Sequence, residues 1–385
     1  MAPRRFDLII VGGGVIGVSI AERLSQEGLK VALLEGEALA AGASGAAAGM
    51  LAPLGEAHTG GPLLDLGLQS LALFEGLCAR LKDEAGIDPE FERSGLLEVA
   101  FDPEEAARLE AKRTQAESSA GAWPFDPELE RVDPADLRRA EPALSGDALA
   151  GLFSPHEAHL RPPLLVRALA QSARDRGVTF LTGVRAERLL CAGSRISGVE
   201  TSAGRFEAEQ VVVAAGAWSP SLLAASGLAR PQAEMLPVRP IRGQILQLDA
   251  PLPGTRAICW APGIYTVPKR DGSWVVGATE ESVGFDRRVT AEGVATLLER
   301  ARRLFPELRD ASFTRAWAGL RPVSADGLPW VGPWAEVDGL WVAAGHGRNG
   351  VLLSAVTSQI LGEAILGKSK IEATHPLCPS PDRLS

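Results

Sequence analysis

A glycine-rich turn near the N-terminus constrains the fold of this chain more than any other feature. The apolar, β-branched run at residues 6–11 is followed by Gly-Gly-Gly-Val-Ile-Gly at 12–17, and apolar residues then recur at helical spacing. This pattern predicts a strand, a tight turn and a helix. In such a unit Gly12 permits the turn, Gly14 lets a pyrophosphate approach the backbone, and Gly17 lets the helix pack closely on the strand. The unpaired N–H groups at the start of the helix would face the phosphates.

Glu35 directly follows the second predicted strand, residues 30–34, and supplies the acidic group that a dinucleotide site needs. It follows Gly12 by 23 residues, where a carboxylate accepts hydrogen bonds from ribose and repels a 2′-phosphate, so NADP is disfavoured. This pattern leaves NAD and FAD open. Residues 42–50, Gly-Ala-Ser-Gly-Ala-Ala-Ala-Gly-Met, carry little side-chain bulk, as expected of backbone lying against a large flat ligand. A helix start packed on the sheet is the alternative.

Composition and charge exclude several classes of protein. The chain has 385 residues, of which 46% are hydrophobic and 23% charged, so it should fold and not remain disordered. It has 48 acidic and 39 basic residues, a net charge of -9, and no Lys/Arg-rich block. We therefore expect no nucleic-acid partner.

Cysteines and histidines show no disulfide or metal pattern. The four cysteines stand far apart without a C-x-x-C pair, which predicts reduced thiols. The five histidines lack ligand spacing, so we expect no metal; they are His58, His156, His159, His346 and His375. We find no signal-peptide core and no run of about 18 apolar residues. These observations predict a cytoplasmic protein without a membrane partner, and they leave a homo-oligomer open.

The order of predicted elements indicates an α/β fold with two interleaved domains. Strand and helix patterns of the nucleotide type return after residue 150 and again after 324, while short alternating strands between 221 and 323 predict an antiparallel sheet. We assign residues 1–75, 151–220 and 324–370 to a Rossmann-like nucleotide domain. Residues 76–150 and 221–323 form the second, substrate-binding domain, and 371–385 form a C-terminal tail.

Several motifs along nearly the whole chain resemble those of the D-amino acid oxidase family of flavoproteins, specifically its glycine oxidase branch, which is associated with thiamine biosynthesis. Besides residues 12–17 they are GASGAAAGML at 42–51, HLRP at 159–162, VAAGAW at 213–218, Gly243-Gln244, GATE at 277–280, DGLP at 326–329 and GHGRNG at 345–350. Each motif is weak alone, but their order and spacing are specific. The resemblance implies FAD, an interleaved two-domain fold and oxidation of a small amine.

The resemblance also implies the reaction. Glycine, sarcosine or a small D-amino acid would be oxidised to an imine, and O2 would be reduced to hydrogen peroxide. Relatives that bind flavin covalently carry a cysteine shortly before the D-x-x-P loop, whereas this chain has Leu320, Arg321 and Pro322, so we expect noncovalent FAD. One alternative is a dehydrogenase of the same family that oxidises a D-amino acid or proline and passes electrons to a quinone or carrier. Another is a noncatalytic flavin-binding protein.

Two residues match the family's carboxylate-binding positions. Arg321 matches the arginine whose planar guanidinium binds both oxygens of a substrate carboxylate; a surface ion pair is the alternative. Tyr265, the only tyrosine in the chain, stands where the family places a hydroxyl that bonds the same carboxylate. The alternative for Tyr265 is a half-buried strand residue.

Three further residues are weighed as candidates. Arg348, before the last predicted helix, would favour negative charge on reduced flavin, or would form a C-terminal ion pair. His346 is interpreted as a residue that places backbone next to FAD and not as a general base. Glu280 either bonds a substrate ammonium or is solvated, and its role is left open.

The residues expected to contact FAD come from the motifs above and from the strand after residue 177. They are Gly12, Gly14, Val15, Ile16, Gly17, Glu35, Gly42, Ala43, Ser44, Ala47, Ala48, Gly49, Met50, Val184, Ala215, Gly216, Trp218, Gly345, His346, Gly347, Arg348, Asn349, Gly350 and Val351.

Overall fold

The structure is a computed structural model that describes residues 4–56, 60–118, 128–228, 236–250, 252, 256–372, 374–379 and 383. Its strands are β1 Arg4–Val11, β2 Val31–Glu35, β3 Met50–Leu51, β4 Leu96–Ala100, β5 Glu130–Val132, β6 Ala150–Ser154, β7 Ala158–His159, β8 Thr179–Thr182, β9 Ala186–Ala192, β10 Arg195–Thr201, β11 Gly204–Val213, β12 Val238–Asp249, β13 Ile258–Ala261, β14 Ile264–Pro268, β15 Ser273–Gly277, β16 Ser312–Ser324, β17 Trp330–Pro333 and β18 Leu340–Ala344. Its α-helices are α1 Val15–Ser25, α2 Ala43–Ala46, α3 Pro53–Glu56, α4 Pro62–Ala85, α5 Pro103–Ser118, α6 Pro134–Ala140, α7 Pro162–Asp175, α8 Ser219–Ala225, α9 Ala291–Leu304 and α10 Gly350–Ile365.

The first sheet has the order β17-β18-β11-β1-β2-β8, with the β9–β10 hairpin beside β11. Strands β18, β11, β1, β2 and β8 are parallel. Alternate residues of β1 point to opposite faces: Leu8 and Ile10 pack in the core that includes α1, α4, α7 and α10, while Ile9 and Val11 pack in a second core on the other face. The predicted α/β fold with a Rossmann-like nucleotide domain is confirmed.

The second sheet has the order β16-β12-β15-β14-β13-β4-β6-β5. It is antiparallel except for the parallel pair β13–β4. One face packs on α9 through Leu297, Ala301 and Leu304. The other face meets Ala48 and Ala52 from the segment that follows α2, and this contact brings the second sheet to the nucleotide side of the molecule.

Two predicted domain boundaries differ from the structure. The boundary after residue 75 falls inside α4, because the apolar stripe of this helix continues through Cys78 and Leu81 into the core of the first sheet. The boundary at 151 cuts β6, which pairs with β4 and β5 in the second sheet. The predicted tail, 371–385, lies partly outside the described residues; Leu377 packs in the first core, and its carbonyl accepts a hydrogen bond from the Val331 N–H at 2.7 Å.

Helix α4 is the one helix in the described part of the chain that is long and apolar enough to cross a membrane by length and composition alone. The sequence predicted no such segment. The helix is amphipathic, since Leu68, Leu71 and Phe74 are buried whereas Asp65 and Glu75 are exposed. That pattern is typical of a core helix in a globular protein.

Candidate functional site

A cavity of about 830 Å³ begins at the carboxyl end of β1 and extends to the inner face of the second sheet. In open α/β sheets, ligands bind in the crevice outside the carboxyl ends of the strands, at the point where the strand order reverses. Strand β1 lies at such a point, between β11 and β2. We call the part around Gly12 and Glu35 the nucleotide end, and the part around Tyr265 and Arg321 the inner end. The predicted residues that line it are Gly12, Gly14, Val15, Ile16, Glu35, Gly42, Ala43, Ser44, Ala47, Ala48, Gly49, Met50, Ala215, Gly216, Trp218, Tyr265, Arg321, His346, Gly347, Arg348, Asn349, Gly350 and Val351.

Three of the predicted cofactor residues support the wall and do not line the cavity. A Cβ on Gly17 would overlap the carbonyl oxygen of Gly12, so Gly17 serves the close packing of α1 on the turn. The Val184 N–H donates to the Glu35 carbonyl at 2.9 Å. A Cβ on Gly345, which has a φ of +79°, would lie 3.1 Å from a methyl group of Val238.

The turn after β1 has the geometry expected for phosphate binding. Gly12 has a φ of +118°, which favours glycine, and a Cβ there would overlap the carbonyl of Ala214. By contrast, a Cβ on Gly14 would meet only the Ser44 hydroxyl, at 3.2 Å, so this backbone borders open cavity. The Val15 N–H at the start of α1 donates to Ser44 Oγ at 2.9 Å.

Glu35 is fixed at the nucleotide end by two backbone hydrogen bonds. Its carboxylate accepts the Gly13 N–H at 2.7 Å and the Glu37 N–H at 2.8 Å. Each carboxylate oxygen keeps a further lone pair, and Glu35 lines the cavity. A ribose hydroxyl could therefore be bound here without breaking either contact.

The small residues at 42–50 both line the cavity and pack on the second sheet. A Cβ on Gly319 in β16 would lie 2.5 Å from the Ala46 methyl group, so β16 and α2 touch closely. The Lys269 ammonium donates to the carbonyls of Ala48 at 2.8 Å and Leu160 at 2.9 Å, and burial lowers its pKa to about 7. A flavin dinucleotide fits this lining, which combines the small residues at 42–50, the open backbone at Gly14 and the fixed carboxylate of Glu35.

Arg321 and Tyr265 meet at the inner end. Arg321, in β16, donates from Nη1 to the Thr279 carbonyl at 3.0 Å and is hydrogen-bonded to the Tyr265 hydroxyl. Tyr265, in β14, is 9% exposed, and burial raises its pKa despite the nearby guanidinium groups. The two side chains present a fork of N–H donors and one O–H to a single point, which is the donor set that binds a carboxylate.

Two glycines make room for this pair. A Cβ on Gly243 in β12 would lie 2.5–2.6 Å from three guanidinium atoms of Arg321. A Cβ on Gly277 in β15 would overlap the hydroxyl and ring of Tyr265. Glycine at each position therefore lets a side chain lie flat on the neighbouring strand.

Glu56 forms an ion pair with Arg348 across the inner end, and the sequence did not single out Glu56. Arg348 Nε lies 2.7 Å from Glu56 Oε2, with the carboxylate side chain 11% exposed and the arginine side chain 44% exposed. The Arg348 guanidinium also lies over the Trp260 ring, 5.1 Å from its centroid. Burial raises the pKa of the Glu56 carboxyl, although Arg348 and other nearby cations oppose the shift.

A buried carboxyl group and a lysine hold Glu56 in place. Glu157 Oε1 accepts the N–H groups of Leu54 at 2.8 Å and Gly55 at 3.2 Å, in the helix α3 that ends at Glu56. Burial raises the pKa of Glu157 to about 8, so this group is mostly protonated at neutral pH. The Lys112 ammonium donates to the Gly55 carbonyl at 3.2 Å. Helix α3 is thus fixed from both sides.

His346 and Glu280 do not supply catalytic groups to the cavity. The Nε2 of His346 lies 3.1 Å from the Thr357 hydroxyl, and burial lowers the pKa of His346 to about 3, so its ring is neutral. Glu280 is exposed and is not among the residues that line the cavity. Within the described residues no three His, Cys, Asp or Glu side chains cluster as a metal site; His58 lies outside those residues.

The mouth of the nucleotide end is crossed by two contacts that the sequence did not predict. The rings of Trp218 and Phe285 lie 5.5 Å apart between centroids. Arg287 Nη2 lies 3.1 Å from Glu37 Oε1. All four residues line the cavity, so the loop after β15 spans it and touches the nucleotide side.

Comparison with known proteins agrees with this geometry. Residues 7–364 match the family described as FAD dependent oxidoreductase (DAO). The glycine oxidase of Geobacillus kaustophilus is 37% identical over 380 residues, which are 97% of this chain and 96% of that protein. The bifunctional protein ThiO/ThiG of Nostoc sp. is 34% identical over 94% of this chain and 52% of its own length. The crystal structure of the Geobacillus kaustophilus glycine oxidase superposes with a TM-score of 0.91, 35% identity, and coverage of 98% of this chain and 99% of that one.

Proposed function

Since the chain belongs to the DAO family of FAD-dependent oxidoreductases, we propose that it catalyses oxidative deamination of glycine and other small amino acids, among them sarcosine and small D-amino acids. The observation that carries this proposal is the meeting of Arg321 and Tyr265 in a cavity whose other end fits a dinucleotide. FAD, when bound, supplies the acceptor for the hydride of the substrate α-carbon and returns the electrons to O2 as hydrogen peroxide.

The substrate carboxylate is bound by the Arg321 guanidinium and the Tyr265 hydroxyl. Burial strengthens both contacts because the effective dielectric at the inner end is low. Their fixed geometry orients the α-carbon, which is the main contribution of the protein to such a reaction. The ring of Tyr265 packs edge-on against Trp260, with 6.3 Å between centroids, and this contact supports the position of the hydroxyl.

The cofactor is held by the residues that line the nucleotide end. Backbone around Gly14 would face the pyrophosphate, and Glu35 would accept ribose hydroxyls. Residues 42–50 and 346–351 would border the flavin. The effect of Arg348 on the charge of reduced flavin stays a prediction. The Glu56 carboxylate balances part of the positive charge of Arg348.

We place the reaction in the cytoplasm, as part of thiamine biosynthesis. The similarity to a ThiO/ThiG protein supports the pathway, with this chain spanning about half of that relative.

The test is a set of measurements on the purified holoprotein. We expect yellow protein that releases FAD on denaturation, flavin that bleaches anaerobically with glycine, sarcosine, D-alanine or D-proline, and hydrogen peroxide under air. Flavin that stays on the denatured chain would contradict noncovalent binding. Bleaching without peroxide would favour the dehydrogenase, and no bleaching by any of the four would overturn amino acid oxidation.

A further inference from the structure

The inner end of the cavity has two arginines, although one substrate carboxylate needs only one. Among the described residues that line this end, Arg321 and Arg348 are cationic and Glu56 is anionic. The sum is one positive charge, which matches an amino acid whose amine is neutral and whose single carboxylate binds Arg321. Without the charge of Glu56 the same wall would match a dianion.

The two guanidinium groups are separated by one pair of aromatic rings. Arg321 is hydrogen-bonded to Tyr265, the ring of Tyr265 packs edge-on against Trp260, and Arg348 lies over Trp260. Arg321, Tyr265 and Arg348 all line the cavity. A ligand with a carboxylate at each end would offer one charge to each guanidinium group.

From this arrangement we infer that Glu56 sets substrate selectivity, because its carboxylate occupies Arg348 and so excludes amines that carry a second carboxylate. The inference rests on the proposed function and extends it to a residue and a class of ligand. Glu56 acts as an internal substitute for the second carboxylate, and iminodiacetate, glycine with a carboxymethyl group on nitrogen, is a simple substrate that it would exclude.

The rigidity of α3 makes the exclusion effective. Glu157 and Lys112 bind the backbone of this helix on two sides, so the backbone that carries Glu56 is held in place. An incoming carboxylate would have to displace Glu56 and leave it buried without its cation, which is strongly unfavourable. A flexible surface carboxylate would impose no such barrier.

The experiment compares ligands that differ by one carboxymethyl group. The substrates are glycine and iminodiacetate, and the unreactive ligands are glycolate and diglycolate, whose binding is measured from the flavin absorbance. The variants are Glu56→Gln, the double variant Glu56→Gln/Arg348→Gln, and the matched control Glu280→Gln, which removes an exposed carboxylate that does not line the cavity.

We expect Glu56→Gln to raise the ratio of kcat/KM for iminodiacetate to kcat/KM for glycine at least about tenfold, because Arg348 is then free to make a second charge-assisted contact. The affinity ratio of diglycolate to glycolate should rise likewise, the double variant should lose both gains, and Glu280→Gln should match the parent. Unchanged ratios in FAD-loaded Glu56→Gln, or an equal fall for all substrates, would overturn the inference.

The parent protein gives a second test that does not depend on the variants. Diglycolate should bind it no more tightly than glycolate, and tenfold tighter binding of diglycolate would overturn the inference even if Glu56→Gln fails to fold. Because these two ligands are not oxidised, the result stands apart from the proposed function, which fails only if glycine and the other amino acids leave the flavin oxidised.

Discussion

Gly243→Ala is a sharp test of the assignment of Arg321, because it moves the guanidinium without removing its charge. An alanine Cβ would lie 2.5, 2.6 and 2.6 Å from Nη2, Cζ and Nη1 of Arg321. Ordinary contacts between such atoms are about 3.5–4.0 Å. Strand β12 is paired on both sides, with β15 and β16, so the flexible side chain and not the backbone must yield, by about 1 Å.

The size of the effect follows from what that shift breaks. The bond from Arg321 Nη1 to the Thr279 carbonyl is 3.0 Å, and a shift of about 1 Å exceeds the range of a hydrogen bond. The Arg321 guanidinium group then no longer reaches a carboxylate that is bound by the Tyr265 hydroxyl. Loss of one charge-assisted hydrogen bond costs about 1.5–3 kcal/mol, so kcat/KM for glycine should fall about 10- to 150-fold.

The assay is steady-state peroxide formation together with anaerobic flavin reduction as a function of glycine concentration. We expect most of the loss in KM and a nearly unchanged flavin spectrum. The control is Gly76→Ala, at an exposed helix position where a Cβ meets no atom within 4 Å; it should leave kinetics unchanged. A kcat/KM within about threefold of the parent in FAD-loaded Gly243→Ala would refute the placement of Arg321 at the substrate carboxylate.

Three further predictions test other parts of the site. Tyr265→Phe should lower kcat/KM by an amount equivalent to only about 0.5–1.5 kcal/mol of transition-state stabilisation, since one neutral hydrogen bond is lost while Arg321 still neutralises the carboxylate. Complete loss of activity with FAD bound would show that the hydroxyl takes part in the chemical step. Gly17→Ala should lower the unfolding midpoint and FAD occupancy together, because its Cβ would overlap the Gly12 carbonyl; full occupancy at an unchanged midpoint would contradict this packing. His346, with a folded pKa of about 3 against 6.5 unfolded, contributes stability that is complete above pH 6.5 and declines as the pH falls. Between about pH 7 and pH 5, the free energy of unfolding measured with denaturant should therefore fall by about 2 kcal/mol less in His346→Gln than in the parent. Parallel pH profiles of the two proteins would contradict this prediction.

Local sequence signals were sufficient for the nucleotide end. Gly12, Gly14 and Gly17 follow one strand and begin one helix, so their roles are set by backbone geometry within a few residues. Glu35 is found by the same logic because it ends the next strand.

The inner end was less predictable because its residues meet only through the tertiary fold. Arg321 and Tyr265 were found by family resemblance, whereas Glu56 carries no local signal beyond an acidic residue near an apolar segment. Its partner Arg348 comes from the other end of the chain, and helix α3 is held by Glu157, which is also remote in sequence, 103 residues from Leu54. The boundary error inside α4 has a related cause, since nothing in the sequence marks which sheet an amphipathic helix covers.

The contacts across the mouth of the cavity set the cost of opening the loop after β15. The Trp218–Phe285 stack and the Arg287–Glu37 pair join the loop after β15 to the nucleotide side of the cavity, so opening of this loop would break both contacts. The stack contributes about 0.5–1.5 kcal/mol and the exposed ion pair about 0–1 kcal/mol. Breaking both would therefore cost about 0.5–2.5 kcal/mol, so the loop after β15 can separate from the nucleotide side at a cost far below that of unfolding the protein.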